Sequence, residues 1–144
     1  MKGSNPGIAL LLLRLVVGIV FLNHGLGKLL GPPFAGGGMD GWIAFATQIG
    51  LPSPVALAWL WVAIETLGGL ALILGTGTGV AGLLLAVGML VAIVKVHLTH
   101  GFDVFRYGDP NARGYEYSLT LFVASLAIAI GGPGILALRL KQGD

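Results

Sequence analysis

Four apolar stretches constrain this chain more than any other feature. A helix needs about 20 apolar residues to cross a hydrocarbon core of about 30 Å. Ile8 to Leu30 meets that requirement, with Pro32-Pro33 as its stop. Val55 to Leu74 meets it too, opening after Pro54 at a position where proline is tolerated. Val80 to Leu98 is the third span, and Tyr115 to Ile130 the fourth and shortest, ended by Gly131-Gly132-Pro133-Gly134. That last stretch spans only with tilt or with help from its neighbours. Only 10% of the 144 residues are charged, against roughly 25% in a soluble domain, so a water-facing globular surface could not be covered. The expectation is an all-α integral membrane four-helix bundle, one domain over residues 1–144, with the lipid bilayer as its surroundings.

The remaining composition narrows the chemistry. With 25 glycines, helices can approach closely in lipid. The absence of cysteine removes disulfides, thiolate zinc sites and iron–sulfur ligation from the chain. A net charge of +2, thinly spread, offers nucleic acid no footprint. Lys2 before an apolar stretch resembles a signal peptide, but Arg14 interrupts the stretch and no small-residue cleavage site follows, so a retained first span is expected.

The connections are unequal. Gly75-Thr76-Gly77-Thr78-Gly79 predicts a tight turn and an antiparallel hairpin of spans two and three. Residues 31–54 and 99–114 must then lie together at the opposite membrane face. Within the first of these loops, Asp40 can cap a short helix ending at Gly50-Leu51-Pro52. Trp42, Phe45 and Ile49 make one apolar stripe on it, which suits a helix lying in the interface with Trp42 at headgroup depth. The second loop carries Asp103, Arg106, Asp109, Asn111 and Arg113, with a turn at Gly108-Asp109-Pro110-Asn111. Positive charges are nearly balanced between the two faces and do not orient the bundle.

Ionisable side chains at mid-bilayer cost about 2.5 to 3.5 kcal/mol each, so each needs a reason. They are Arg14, His24 and Lys28 on span one, Glu65 on span two, Lys95 and His97 on span three, and Glu116 on span four. Counted inward from the long-loop face at about 1.5 Å per residue, Lys28 is near the surface, His24 about 9 Å deep, Glu65 about 15 Å and Arg14 about 24 Å. Glu65 must be neutral or paired at that depth, and Arg14 is the expected partner, in a pair that either sets helix register or leaves Glu65 to handle protons or ligand. Gly68 and Gly69 let another backbone approach the same face. His24, Lys28, Glu65, His97 and Glu116 are expected to line one cavity under the long loops, with Trp42 and Arg106 in its roof. Lys95 and His97, two residues apart, should face differently, so only one would line it. A haem between His24 and His97 is conceivable, but local hydrogen bonds at interface depth explain these histidines better. No metal centre is expected, and an aromatic belt accounts for Tyr115 and Tyr117.

Taken together, the motifs are familiar. Leu13-Arg14-Leu15 with Phe21-Leu22-Asn23-His24-Gly25-Leu26-Gly27-Lys28 resembles the first-helix signature of the DoxX family. Glu65-Thr66-Leu67-Gly68-Gly69, Val96-His97 before Gly101-Phe102, and Gly114-Tyr115-Glu116-Tyr117 are similar to that family's later helix patterns, and Gly50-Leu51-Pro52 also matches. The resemblance implies a four-helix bundle in the bacterial inner membrane, multi-pass, with its long loops outside and its termini in the cytoplasm. One branch supplies the membrane subunit of thiosulfate:quinone oxidoreductase, which implies a quinone-linked oxidoreductase subunit acting on small sulfur compounds, in company with a partner subunit or further copies of the chain. In that chemistry Glu65 and His24 would act as catalytic groups. Arg14, Lys28, Trp61, His97, Tyr115 and Glu116 would bind the ligand, with Trp61 as a wall of the quinone slot. The rival expectation is a non-enzymatic scaffold subunit or a small-solute carrier with the same polar cluster.

Overall fold

The computed structural model describes residues 5–104 and 113–138 and is all-helical over its ordered elements. Helix α1 spans Pro6–Leu30, with proline in its first turn where no backbone N–H partner is lost. Helix α2, Gly38–Gln48, starts ahead of the residue expected to cap it, so Asp40 sits in its first turn rather than at the cap. Helix α3 covers Pro54–Leu74. It closes on left-handed Gly75 (φ 76°), with the Gly75 N–H donating to Leu72 O at 3.2 Å and the Thr76 N–H to Ala71 O at 3.0 Å. Helix α4, Thr78–Ala92, continues without a break as a π-turn over Ile93–His97 and a 3₁₀ turn over Leu98–His100. Helix α5 is Glu116–Gly131, the short fourth span. Helices α1, α3 and the 78–100 segment are long and apolar enough to cross a membrane. The expected turn at 108–111 and the roof residue Arg106 lie outside the described residues.

The helices form a ring in which α1 packs along α3, α3 on α4, α4 along α5, and α5 back against α1. Val17, Phe21, Leu72, Leu85, Leu121 and Ile128 fill its axis. Their outward neighbours, such as Val16, Leu67, Val87 and Val123, are exposed, as lipid-facing positions should be.

Close contact between α1 and α3 sets their register. A Cβ on Gly69 would lie 2.6 Å from Leu22 N, so only glycine permits this crossing. Along the same seam Gly18 meets Ile73 and Gly25 meets Thr66. This alignment places Glu65 level with residue 26, and the first turns of α3 run past the end of α1 to meet α2. Gly68, by contrast, faces the Leu85 side chain on α4.

The start of α1 and the 133–138 segment lie together at one end of the ring. The Ile135 N–H donates to Gly7 O at 3.2 Å, and the Leu138 N–H donates to Leu74 O at 3.0 Å. The connection 31–53 and the described residues 101–104 and 113–115 lie at the other end, as the tight turn at 75–77 requires.

Candidate functional site

Among the described residues Arg14 and Glu65 are the charged side chains buried in the ring, at 1% and 2% exposure. They do not meet. In the observed register Arg14 lies about three helical turns from the level of Glu65, beside the end of α3. The expectation of a pair assumed that both spans begin in one plane, whereas α3 is displaced past the end of α1.

Arg14 is held by main chain alone. Its Nε donates to Pro133 O at 2.8 Å, Nη1 to Leu72 O and Ile73 O at 2.9 and 2.5 Å, and Nη2 to Ile135 O and Leu136 O at 3.1 and 2.7 Å. All five guanidinium N–H groups are thereby used. Two acceptors belong to the last turn of α3, where carbonyls lack helical partners and the helix dipole favours a cation. Arg14 thus ties α1, the end of α3 and the 133–136 segment together, and it does not line the cavity described below.

The partner of Glu65 is Lys28. Its Nζ reaches both carboxylate oxygens at 2.5 Å, with the lysine side chain 17% exposed. The lysine therefore turns inward rather than out to the headgroups. The same ammonium lies 4.7 Å from the ring centroid of Trp42 on α2, a cation–π contact that couples the ion pair to the roof. Trp42 stacks on Phe45 with centroids 5.4 Å apart.

Under this roof lies a cavity of about 690 Å³. Of the residues expected to line it, His24, Lys28, Glu65, Trp61 and His97 do so, from α1, α3 and the π-turn. Trp42, Phe45 and Ile49 line it as well, so the apolar stripe of α2 faces the cavity. Gly88 makes room for Trp61: any Cβ there would overlap the indole.

Tyr115 and Glu116 are placed elsewhere. The Glu116 carboxylate turns to the neighbouring loop and accepts the Val104 N–H at 3.1 Å, while the Glu116 N–H donates to Phe102 O at 2.9 Å. Tyr115 packs edge-on to Phe102 at 5.4 Å. Both hold the 101–104 segment against the start of α5, outside the cavity lining.

Lys95 and His97 both line the cavity, against expectation. The π-turn explains this. Its i→i+5 bonding makes each residue sweep a smaller angle, so His97 lags behind its α-helical position and swings back toward the face marked by Gly88 and Ala92. Tyr117, read from the sequence as a belt residue, also lines the cavity, with its ring centroid 6.5 Å from that of His24. The signal available was the stripe Ser118, Leu121, Ser125 and Ile128, the buried face of α5, which Tyr117 flanks.

The histidines have defined tautomers. His24 Nδ1 lies 2.9 Å from Val20 O, and His97 Nδ1 lies 2.8 Å from Arg113 O. A carbonyl only accepts, so each Nδ1 carries a hydrogen. The neutral ring then presents Nε2 as a lone-pair acceptor.

Comparison with known proteins agrees with this architecture. The DoxX family profile matches residues 9–98. The chain is 35% identical over 131 residues to "Putative oxidoreductase CatD" of Bacillus subtilis (strain 168), covering 91% of this chain and 84% of that protein. It is 27% identical over 139 residues to "Inner membrane protein YphA" of Escherichia coli (strain K12), covering 94% and 91% respectively. No solved structure matches the chain significantly. With a family profile over most of the chain, and with these multi-pass helices, the protein belongs to the DoxX family of membrane proteins.

Proposed function

We propose that the chain is the membrane subunit of a quinone-linked oxidoreductase, and that the cavity beneath α2 receives the quinone head. The observation that carries this reading is the combination of one apolar, aromatic-walled cavity of about 690 Å³ with a buried ion pair at its inner wall. Ligand sites are of this kind, largely apolar with a few placed polar groups. A quinone supplies two-electron, two-proton redox chemistry.

The residues present fit such a head. Trp42 and Trp61 offer flat walls. The Trp42 indole Nε1–H is buried and has no hydrogen-bond partner among the described residues, leaving a donor that a carbonyl oxygen would satisfy. His24 Nε2 accepts from a hydroxyl when neutral and donates when protonated, so it can hold a proton on either side of a reduction. Lys28 and Glu65 lie behind it as a hydrogen-bonded pair between which a proton can shift. Electrons come from a reduced small molecule, the class of small sulfur compounds included, or from a partner subunit. The similarity to a protein named as an oxidoreductase supports the same direction.

Purified protein in neutral detergent, titrated with a short-chain ubiquinone, tests this. Saturable quenching of tryptophan emission is expected, weakened at least about tenfold by Trp61→Ala through loss of a stacking wall. Absence of quenching, together with no quinone in an organic extract of the protein purified from its membranes, overturns the reading.

A further inference from the structure

The charges around the cavity are unevenly placed. Among the described residues Glu65 is the sole carboxylate lining it, and Lys28 already neutralises it. Lys95 and Arg113 line it too, at the end beside the long loops, and neither has an acidic partner among the described residues. Both side chains are exposed at that end, while the walls behind them are Phe21, Trp61, Met89 and Leu121. The bond from His97 Nδ1–H to Arg113 O at 2.8 Å pins residue 113 to the π-turn that carries Lys95, so the two cations belong to one rim.

We propose that this rim is a binding site for an acidic head, and that the cavity as a whole takes an amphiphile whose single anionic group sits between Lys95 and Arg113 while its apolar body lies inward. The charge pattern carries this. The inner end is electrically neutral as a paired unit and the walls are apolar, so two rim cations without an acidic partner among the described residues are complementary to a carboxylate, sulfonate or phosphate. Arginine offers a planar fork for such an oxyanion and lysine a point charge beside it. Two sources share this chemistry: an acidic phospholipid of the surrounding bilayer, and an aromatic organic acid from the aqueous phase. The proposal rests on the cavity and its rim, and not on the quinone reading.

Calorimetric titration of the full chain in neutral maltoside, with 1-naphthoate and its uncharged counterpart 1-naphthamide, tests the rim. Naphthoate is expected to bind at least about tenfold more tightly than the amide, the worth of one charge-assisted hydrogen bond. The preference should vanish in Lys95→Gln/Arg113→Gln and survive in Lys95→Arg/Arg113→Lys, which keeps both charges and guards against a folding defect. Phosphatidylglycerol retained by the wild type through purification, measured by native mass spectrometry, should be lost from the Gln/Gln variant if the bilayer is the source. In nanodiscs of phosphatidylcholine with one lipid in three replaced by phosphatidylglycerol, suppression of naphthoate binding assigns the rim to the lipid, and unchanged binding assigns it to the soluble acid. Equal affinity for acid and amide, with no difference in retained phosphatidylglycerol between wild type and Gln/Gln, overturns the proposal. Short-chain ubiquinone titrated into the same variant separates the two readings, since a neutral quinone head should bind it as it binds the wild type.

Discussion

Glu65 and Lys28 form an ion pair whose members depend on each other unequally. The carboxylate is almost wholly out of solvent, while the lysine side chain stays partly exposed. Removing the lysine leaves a buried charge without compensation, and breaking such a pair costs roughly 3–5 kcal/mol, less here because Lys28 keeps some solvent contact. Lys28→Met is therefore expected to lower the unfolding midpoint in detergent strongly, and Lys28→Met/Glu65→Leu to restore most of the loss. The same cycle built with Arg14→Leu and Glu65→Leu should be additive, because these side chains share no partner. Coupling in the second cycle and additivity in the first would reverse the assignment of partners. That both residues are special was evident from the chain, since an ionised group in an apolar span always demands a partner. Which partner was not, because residue counting measures distance along one helix and says nothing of the offset between two. The glycines that decide the offset, Gly18, Gly25 and Gly69, are scattered among others that decide nothing about it.

Among the helices, α4 shows how a small local departure rebuilds a site. Gly88 seats the Trp61 indole against it, and the π-turn one helical turn later swings His97 to the same side. Gly88→Val is expected to force Trp61 out of its seat and into the cavity. The variant should lose ligand binding, read as tryptophan quenching by a short-chain ubiquinone, and lose roughly 1–3 kcal/mol of stability from overpacking. Retained quenching with an unshifted Trp61 emission would show that the glycine is incidental. Hydropathy revealed α4 as a span and glycine content hinted at close packing. The π-turn left no such trace: Ile93-Val94-Lys95-Val96-His97 reads as ordinary helix. For α2 the stripe of Trp42, Phe45 and Ile49 was plain in the sequence. Its direction was settled by α3 projecting beyond α1, which creates the ledge on which α2 rests.

The arrangement of the whole chain follows from span lengths and loop lengths, and little else was needed to anticipate it. Single cysteines at Asp40 and Thr99, both exposed, should react with a membrane-impermeant maleimide from one side of sealed vesicles, and a cysteine at Asn5 from the other. Labelling of Asp40→Cys and Thr99→Cys from opposite sides would contradict the ring described above. Because the chain carries no cysteine of its own, each variant reports without background.

The Arg14 knot has a further meaning for traffic through the molecule. It stops the bundle at the end where α1 begins and the 133–136 segment returns, and the packed layer of Phe21, Leu72, Leu85 and Ile128 lies between it and the cavity. The protein is therefore a cup with a sealed base rather than a tube. Among the described residues the cup opens toward the long loops, so a proton gained or lost in it is expected to exchange with the aqueous phase on that side. On the quinone reading proposed above, turnover is expected to exchange protons with one compartment and to leave the electrical potential between the two undisturbed by proton movement through this chain.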